Sequence, residues 1–236
     1  MFTKKIVALL VFTLVIFIST ASELNAQEEP KTLRVDAKQT MVDTGIKLEK
    51  GDVVKVTNIS GTIKVNSGDT TGKSYEGNKN TVKSSDYFEF GNAAEHALVM
   101  WVGSKGNHSQ VRKNIATEVN ADGNLFFALN DGKGRYSDNS GGFDVTYKIV
   151  KSGKVCSPPT SEKVDIKWVN KTGKPIRVNW INFKCQEETS DRLIAPNGIF
   201  DGYTFVGHVF RVRDESKNDI GLITVESSSS NIDIVK

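Results

Sequence analysis

Leu129 to Val145 reads LNDGKGRYSDNSGGFDV, a loop that hands over without a break to the alternating run Phe143 to Ile149. Alternation of apolar and polar residues marks a strand with one buried face, and the glycines before it let the chain turn through positive φ at little steric cost. The same texture spreads outward in both directions. Val53 to Val56, Ala97 to Val102, Asn124 to Leu129, Phe143 to Val150, Val164 to Val169 and Ile176 to Phe183 are short, rich in β-branched and aromatic residues, and bounded by Gly, Asn, Asp or Pro. Very little of the chain has helical character, and its 20 glycines suit a fold made of hairpins. The expectation is an all-β protein.

Within the loop, Asp131, Asp138, Asn139 and Ser140 set side-chain oxygens among glycines. Calcium takes about 6–8 oxygen ligands, and such a loop can curl near neighbours in sequence around one ion. The same residue types also build an ordinary β-turn, and the spacing is not that of an EF-hand, so composition alone favours a plain loop over a cation site. A glycosidase pair is less suited to Asp131 and Asp138, because a short glycine-rich loop aims two carboxylates at one cation more readily than it straddles a sugar bond. With no Ser/His/Asp order, zinc spacing or phosphate loop in the chain, the expectation is a binding protein and not an enzyme.

The order Asn130-Asp131-x-x-Gly134-x-Tyr136-x-Asp138-Asn139-Ser140-Gly141-x-Phe143-x-Val145 resembles the calcium and sugar loop of the PA-IL-like (LecA-type) galactose-binding lectins. Gly51-Asp52-Val53-Val54 and Ala97-Leu98-Val99-Met100-x-Val102-Gly103 agree with that family in the same order. The resemblance implies a calcium ion held by the side chains of Asp131, Asp138 and Asn139, the backbone carbonyl of Arg135 and a further carbonyl near Lys64 or Val65. It implies galactose-containing glycans or glycoconjugates as partners, bound through neighbouring cis hydroxyls on the metal. Asp131, Asp138 and Asn139 are then sugar-binding residues too, with Lys83 and Asp86 standing where the family has its His and Gln sugar contacts. Asp138 replaces a neutral amide of the family.

Four segments follow. Residues 1–26 read as a signal peptide: Lys4 and Lys5 precede the apolar run Ile6 to Ile18, and Ala26 offers a small residue for cleavage. The expected location is secreted or periplasmic, with no membrane span after cleavage. Removal of Lys4, Lys5 and Glu23 leaves 31 − 2 = 29 basic against 28 − 1 = 27 acidic side chains, a balance without the basic face of a nucleic-acid binder. Residues 31–151 form the lectin-like β-sandwich, in which Ser60 to Asp86 reads as a long polar loop. Residues 152–161, with Pro158 and Pro159, read as a linker holding two bodies apart. Residues 162–236 form a second β-sandwich, so the architecture expected is two such domains in tandem after the signal peptide. His96, just before an apolar run, and His108, in a polar loop, read as solvated surface residues, and Asn58, Asn107 and Asn170 begin Asn-x-Ser/Thr glycosylation signals.

In the second domain, Val164 to Ile176 carries an Asn-Lys-Thr-Gly turn, Val178 to Phe183 reads VNWINF, and Phe205 to Asp214 reads as one strand, FVGHVFRVRD. These elements resemble the β domain of the von Hippel-Lindau tumour suppressor protein. The resemblance implies a peptide-binding pocket for hydroxyproline, with Trp180 and Phe210 packing on the ring and Thr204 and His208 bonding its hydroxyl. A pocket tyrosine of that family has no counterpart among Ser190 to Arg192. Core packing is an equal reading for His208 and the more common role for a tryptophan such as Trp180. The only two cysteines, Cys156 and Cys185, are expected to pair in an exported protein, a closure worth on the order of 3 kcal/mol in the chain-entropy model. Two classes of function stay open: a calcium-dependent galactose-type lectin with an appended peptide-binding domain, and a peptide-binding or structural adhesion module in which neither site is retained.

Overall fold

The computed structural model describes residues 29–78, 90–91, 93–104, 108–152, 155–227 and 231–235. In chain order the strands are β1 (Lys31–Asp36), β2 (Val42–Leu48), β3 (Val53–Lys64), β4 (Leu98–Val102), β5 (Ser109–Gln110), β6 (Ala116–Glu118), β7 (Gly123–Leu129), β8 (Ser140–Val150), β9 (Lys163–Lys171), β10 (Ile176–Ile181), β11 (Glu187–Glu188), β12 (Ile199–Phe205), β13 (Val209–Asp214), β14 (Asp219–Thr224) and β15 (Asn231–Val235). A 3-10 turn, η1 (Tyr136–Asp138), interrupts the loop before β8. The architecture is all-β. Among the described residues, three sheets have the orders β1-β8-β3-β6-β14-β13-β10-β11, β2-β7-β4-β5 and β12-β9-β15.

Period two sets the packing. In β8, Phe143, Val145, Tyr147 and Ile149 turn inward while Asp144, Thr146 and Lys148 are half-exposed. The inward side chains meet Leu98, Met100 and Val102 of β4 and Leu125, Phe127 and Leu129 of β7 in one apolar core. A second core joins Ile166 and Trp168 of β9 to Ile176 of β10, Val212 of β13 and Ile223 of β14, and it takes in Ile115 from the first half of the chain. Gly141 is where the loop requires glycine: its φ is +83°, and a Cβ would lie 2.3 Å from the Thr62 carbonyl oxygen.

Several segments differ from the sequence-based expectation. Ser60 to Lys64 is not loop but the far half of β3, pairing Lys64 with Ser140; ladder hydrogen bonds need backbone, not apolar side chains. Phe205 to Asp214 is not one strand, because the chain turns at Gly207, with φ +86°, between β12 and β13. Asn170 is fully buried, and its amide donates to the carbonyls of Lys174, Ile194 and Ala195, which closes it to a glycan.

The segment around residue 157 is docked rather than free-standing. Ser157 Oγ accepts from Trp180 Nε1 at 2.8 Å and from the Val209 amide at 2.9 Å, and donates to the Ile181 carbonyl. Cys156 is joined to Cys185 by a disulfide. The two halves share a sheet where Leu222 of β14 pairs with Ala116 of β6, beside a small apolar cluster of Val53, Ala116, Ile181, Val209 and Leu222. Arg211 reaches Glu118 across that junction at 2.5 Å, and Arg112 donates to the Ile220 carbonyl at 2.6 Å. Backbone pairing and side-chain packing thus cross a boundary that proline content alone describes as a spacer.

Candidate functional site

The loop between β7 and β8 is anchored by Asn130. Its buried side chain accepts from the Phe90 amide and donates to the carbonyls of Phe90, Ala93 and Ala94, at 3.0–3.2 Å. Asn130 is spent on this scaffold, and it holds the next residue, Asp131, at 5% exposure. One Asp131 oxygen accepts from the Gly132 amide at 2.7 Å and the other from Asn139 Nδ2 at 2.8 Å. Asn139 is 1% exposed, and its Nδ2 also donates to the Ala37 carbonyl at 2.9 Å. Its Oδ1 is buried with no hydrogen-bond partner. An amide oxygen left so beside a carboxylate is costly unless something else meets it.

The structure therefore brings Asp131 and Asn139 together, and the Lys64–Ser140 pairing sets the Lys64 backbone alongside. Arg135 and Asp138 are on the exposed side of η1, so Asp138 does not join the buried pair. Lys83 and Asp86 lie outside the described residues. Among the described residues no three His, Cys, Asp or Glu side chains converge as a metal cluster; the oxygen set available to a hard cation is one carboxylate, one amide and nearby carbonyls, a donor chemistry calcium accepts.

One neighbour was missed. His96 is not a solvated surface residue: its side chain is 16% exposed, with Nε2 3.7 Å from Asp131 Oδ1. Its backbone is left-handed, φ +60°, and its amide donates to the Asn130 carbonyl at 2.7 Å. Burial pushes the imidazole below its ordinary pKa of 6.5, against the opposing pull of the Asp131 charge. The signal lay in strand register. Leu98 of β4 faces Leu129 of β7, so two residues back along one antiparallel strand and two forward along the other bring His96 opposite Asp131. His108, by contrast, is exposed and rests its ring on Phe90 and Trp101, with centroids at 4.5 and 5.1 Å.

In the second half, Trp180, Thr204 and His208 also converge. Thr204 Oγ1 lies 3.1 Å from His208 Nδ1, the Trp180 and His208 rings are 5.3 Å apart, and His208 Nε2 is buried without a partner. Burial lowers the His208 pKa. Phe210 packs edge-on against Trp168, 5.1 Å away. Thr204 and Phe210 line a cavity of about 120 Å³ with Trp168, Phe200 and Tyr203.

Neither a protein-family model nor a curated protein matches the chain by sequence. Among solved structures, the chain is similar to an EclA N-terminal domain, a PllA-like lectin, at 22% identity and TM-score 0.34, over 51% of this chain and 95% of that one. It is also similar to BcpA, the major pilin subunit of Bacillus cereus, at 11% identity and TM-score 0.20, over 89% of this chain and 70% of that one. Neither is a von Hippel-Lindau-type domain, and at these overlaps no ligand or partner transfers to the chain. No helix among the described residues is long and apolar enough to cross a membrane.

Proposed function

We propose that this is a secreted carbohydrate-binding protein, not an enzyme, in which the loop after β7 holds calcium and the metal presents a galactose-type sugar. The observation that carries the reading is the buried, unpartnered Oδ1 of Asn139 beside the Asp131 carboxylate. Asp131 and Asn139 would ligate through their side chains, Arg135 and the chain near Lys64 through carbonyls, and Asp138 by turning in from solvent. A bound calcium would supply open positions for two neighbouring hydroxyls. Charge in the ligand set governs calcium affinity, so Asp131→Ala should remove calcium binding in calorimetry and galactoside binding together. Galactoside binding that survives exhaustive chelation would overturn the proposal.

A second reading, a structural adhesion module, is favoured by a different observation: each Asp131 oxygen already accepts an internal N–H, as a closed turn would. Calorimetry that finds no calcium site at millimolar metal would select it. For the second half we propose an extended hydroxyproline-containing peptide as ligand, on the strength of the buried, unpartnered His208 Nε2. Equal affinity for proline and hydroxyproline peptides, or no change in His208→Ala, would sink this part alone.

A further inference from the structure

We propose that a cleft between the two halves is a glycan site of its own, independent of calcium and selective for neutral oligosaccharides. It does not depend on the loop after β7. The cleft has a volume of about 580 Å³, inside the range of roughly 300–1,000 Å³ usual for small-molecule sites. Neither half encloses it alone. One wall comes from β3, from the chain at Tyr75 and from the turn at Lys113 and Asn114, while the facing wall comes from the ends of β9 and β14 and from β15. Its floor is apolar, built from the buried Ile115 and Ile223 with the partly buried Ile232. An apolar floor under a polar rim is the common build of such sites, and it matches a sugar ring, which carries a C–H face inside a rim of hydroxyls.

The charges around the rim decide the chemistry of the ligand. Lys55, Lys113 and Lys171 line the cleft together with Glu76, Glu226 and Asp233. Lys55 is paired with Glu226 at 2.6 Å, and Lys171 with Asp233. An entering anion would meet as many carboxylates as ammonium groups, and so would a cation, so neither gains net attraction. A neutral ligand rich in hydroxyls avoids that conflict, because it accepts from ammonium groups and donates to carboxylates. An ammonium with three donors and a carboxylate with about four acceptor sites keep capacity after closing one ion pair. Lys113, Asn114, Thr224 and Asn231 are exposed, and among the described residues their side chains make no hydrogen bond or ion pair. A ligand would therefore displace only water from them. Tyr75 adds a half-buried ring whose apolar body and polar tip serve both parts of a sugar.

The test screens the full chain, in excess chelator, against an array of neutral oligosaccharides of glucose, mannose and N-acetylglucosamine, with uronate-containing and sulfated oligosaccharides beside them. Chelator silences a calcium-borne site, and galactose is left out, so that failure here and failure of the calcium reading stay distinguishable. The unaltered protein should bind neutral oligosaccharides and not the acidic ones. The best neutral ligand is then titrated into two variants at exposed positions. Lys113→Ala should weaken it at least about fivefold, the loss of one hydrogen bond, and Thr224→Trp, which fills the cleft, should abolish it, with the melting temperature checking that both remain folded. No binding in chelator, binding confined to acidic oligosaccharides, or a neutral ligand indifferent to both substitutions overturns the inference.

Discussion

Asn130 and Asn139 belong to one loop and are both buried, yet one is fully committed and the other is not. Asn130 makes its hydrogen bonds to the segment from Phe90 to Ala94. Asn130→Ala should cost about 2–4 kcal/mol, since it strands several buried backbone groups at once; urea unfolding measures it, and a loss under about 1 kcal/mol would contradict that role. The meeting of Asp131 and Asn139 in one loop was legible because oxygen-bearing residues between glycines are a local signal. The division of labour between the two asparagines was not, because it depends on which carbonyls lie overhead. His96 was hidden for the same reason: its partner is 35 residues away in sequence and meets it only through the β4–β7 register. His208 offers a pH test. Its folded pKa lies below 6.5 through burial, so the unfolded chain takes up the proton first as pH falls. The stability it confers is complete above that ordinary value and is lost as pH drops through the folded pKa. The Tm should therefore decline between about pH 7 and pH 5, and His208→Asn should flatten that slope. An unchanged slope would place the titration elsewhere.

The strands that announced themselves are those with a clean period of two and one core to face. β8 shows this most clearly, with Phe143, Val145, Tyr147 and Ile149 buried in turn. The far half of β3 and the whole of β12 did not, since their side chains are largely exposed and only backbone pairing makes them strands. β14 depends on one residue. Gly221 has φ +153°, and a Cβ there would sit 2.4 Å from Ile115 Cγ2 and 2.8 Å from the Ala116 carbonyl oxygen. Gly221→Ala should cost about 1–3 kcal/mol by strain and overpacking, and should speed amide exchange in β6 and β14 together. Faster exchange in β14 alone would mean the two strands are not coupled.

At the scale of the molecule, the composition of residues 152–161 speaks for a spacer, whereas β1, β3, β6 and β8 before them and β10, β11, β13 and β14 after them form one sheet. Charge pairs reinforce the junction, with Lys55 and Glu226 at 2.6 Å and Arg211 and Glu118 at 2.5 Å. Calorimetry should therefore find one cooperative unfolding transition; two resolved transitions would show that the halves melt independently. Reduction of the Cys156–Cys185 bridge should lower stability by about 3 kcal/mol and disturb Trp180, whose indole is tied to Ser157 next to Cys156. Trp180 fluorescence unaffected by reductant would break that link.

The pairing of Ala116 with Leu222 also says where this protein can be cut. Severing the chain near residue 153 would not yield two finished modules, but two pieces each ending in a raw edge strand, β6 on one and β14 on the other. Unpaired edges seek partners. Separately produced fragments should find each other and co-elute, or else precipitate, and a recombination experiment that swapped either half into another protein would have to bring its own strand to replace the one lost.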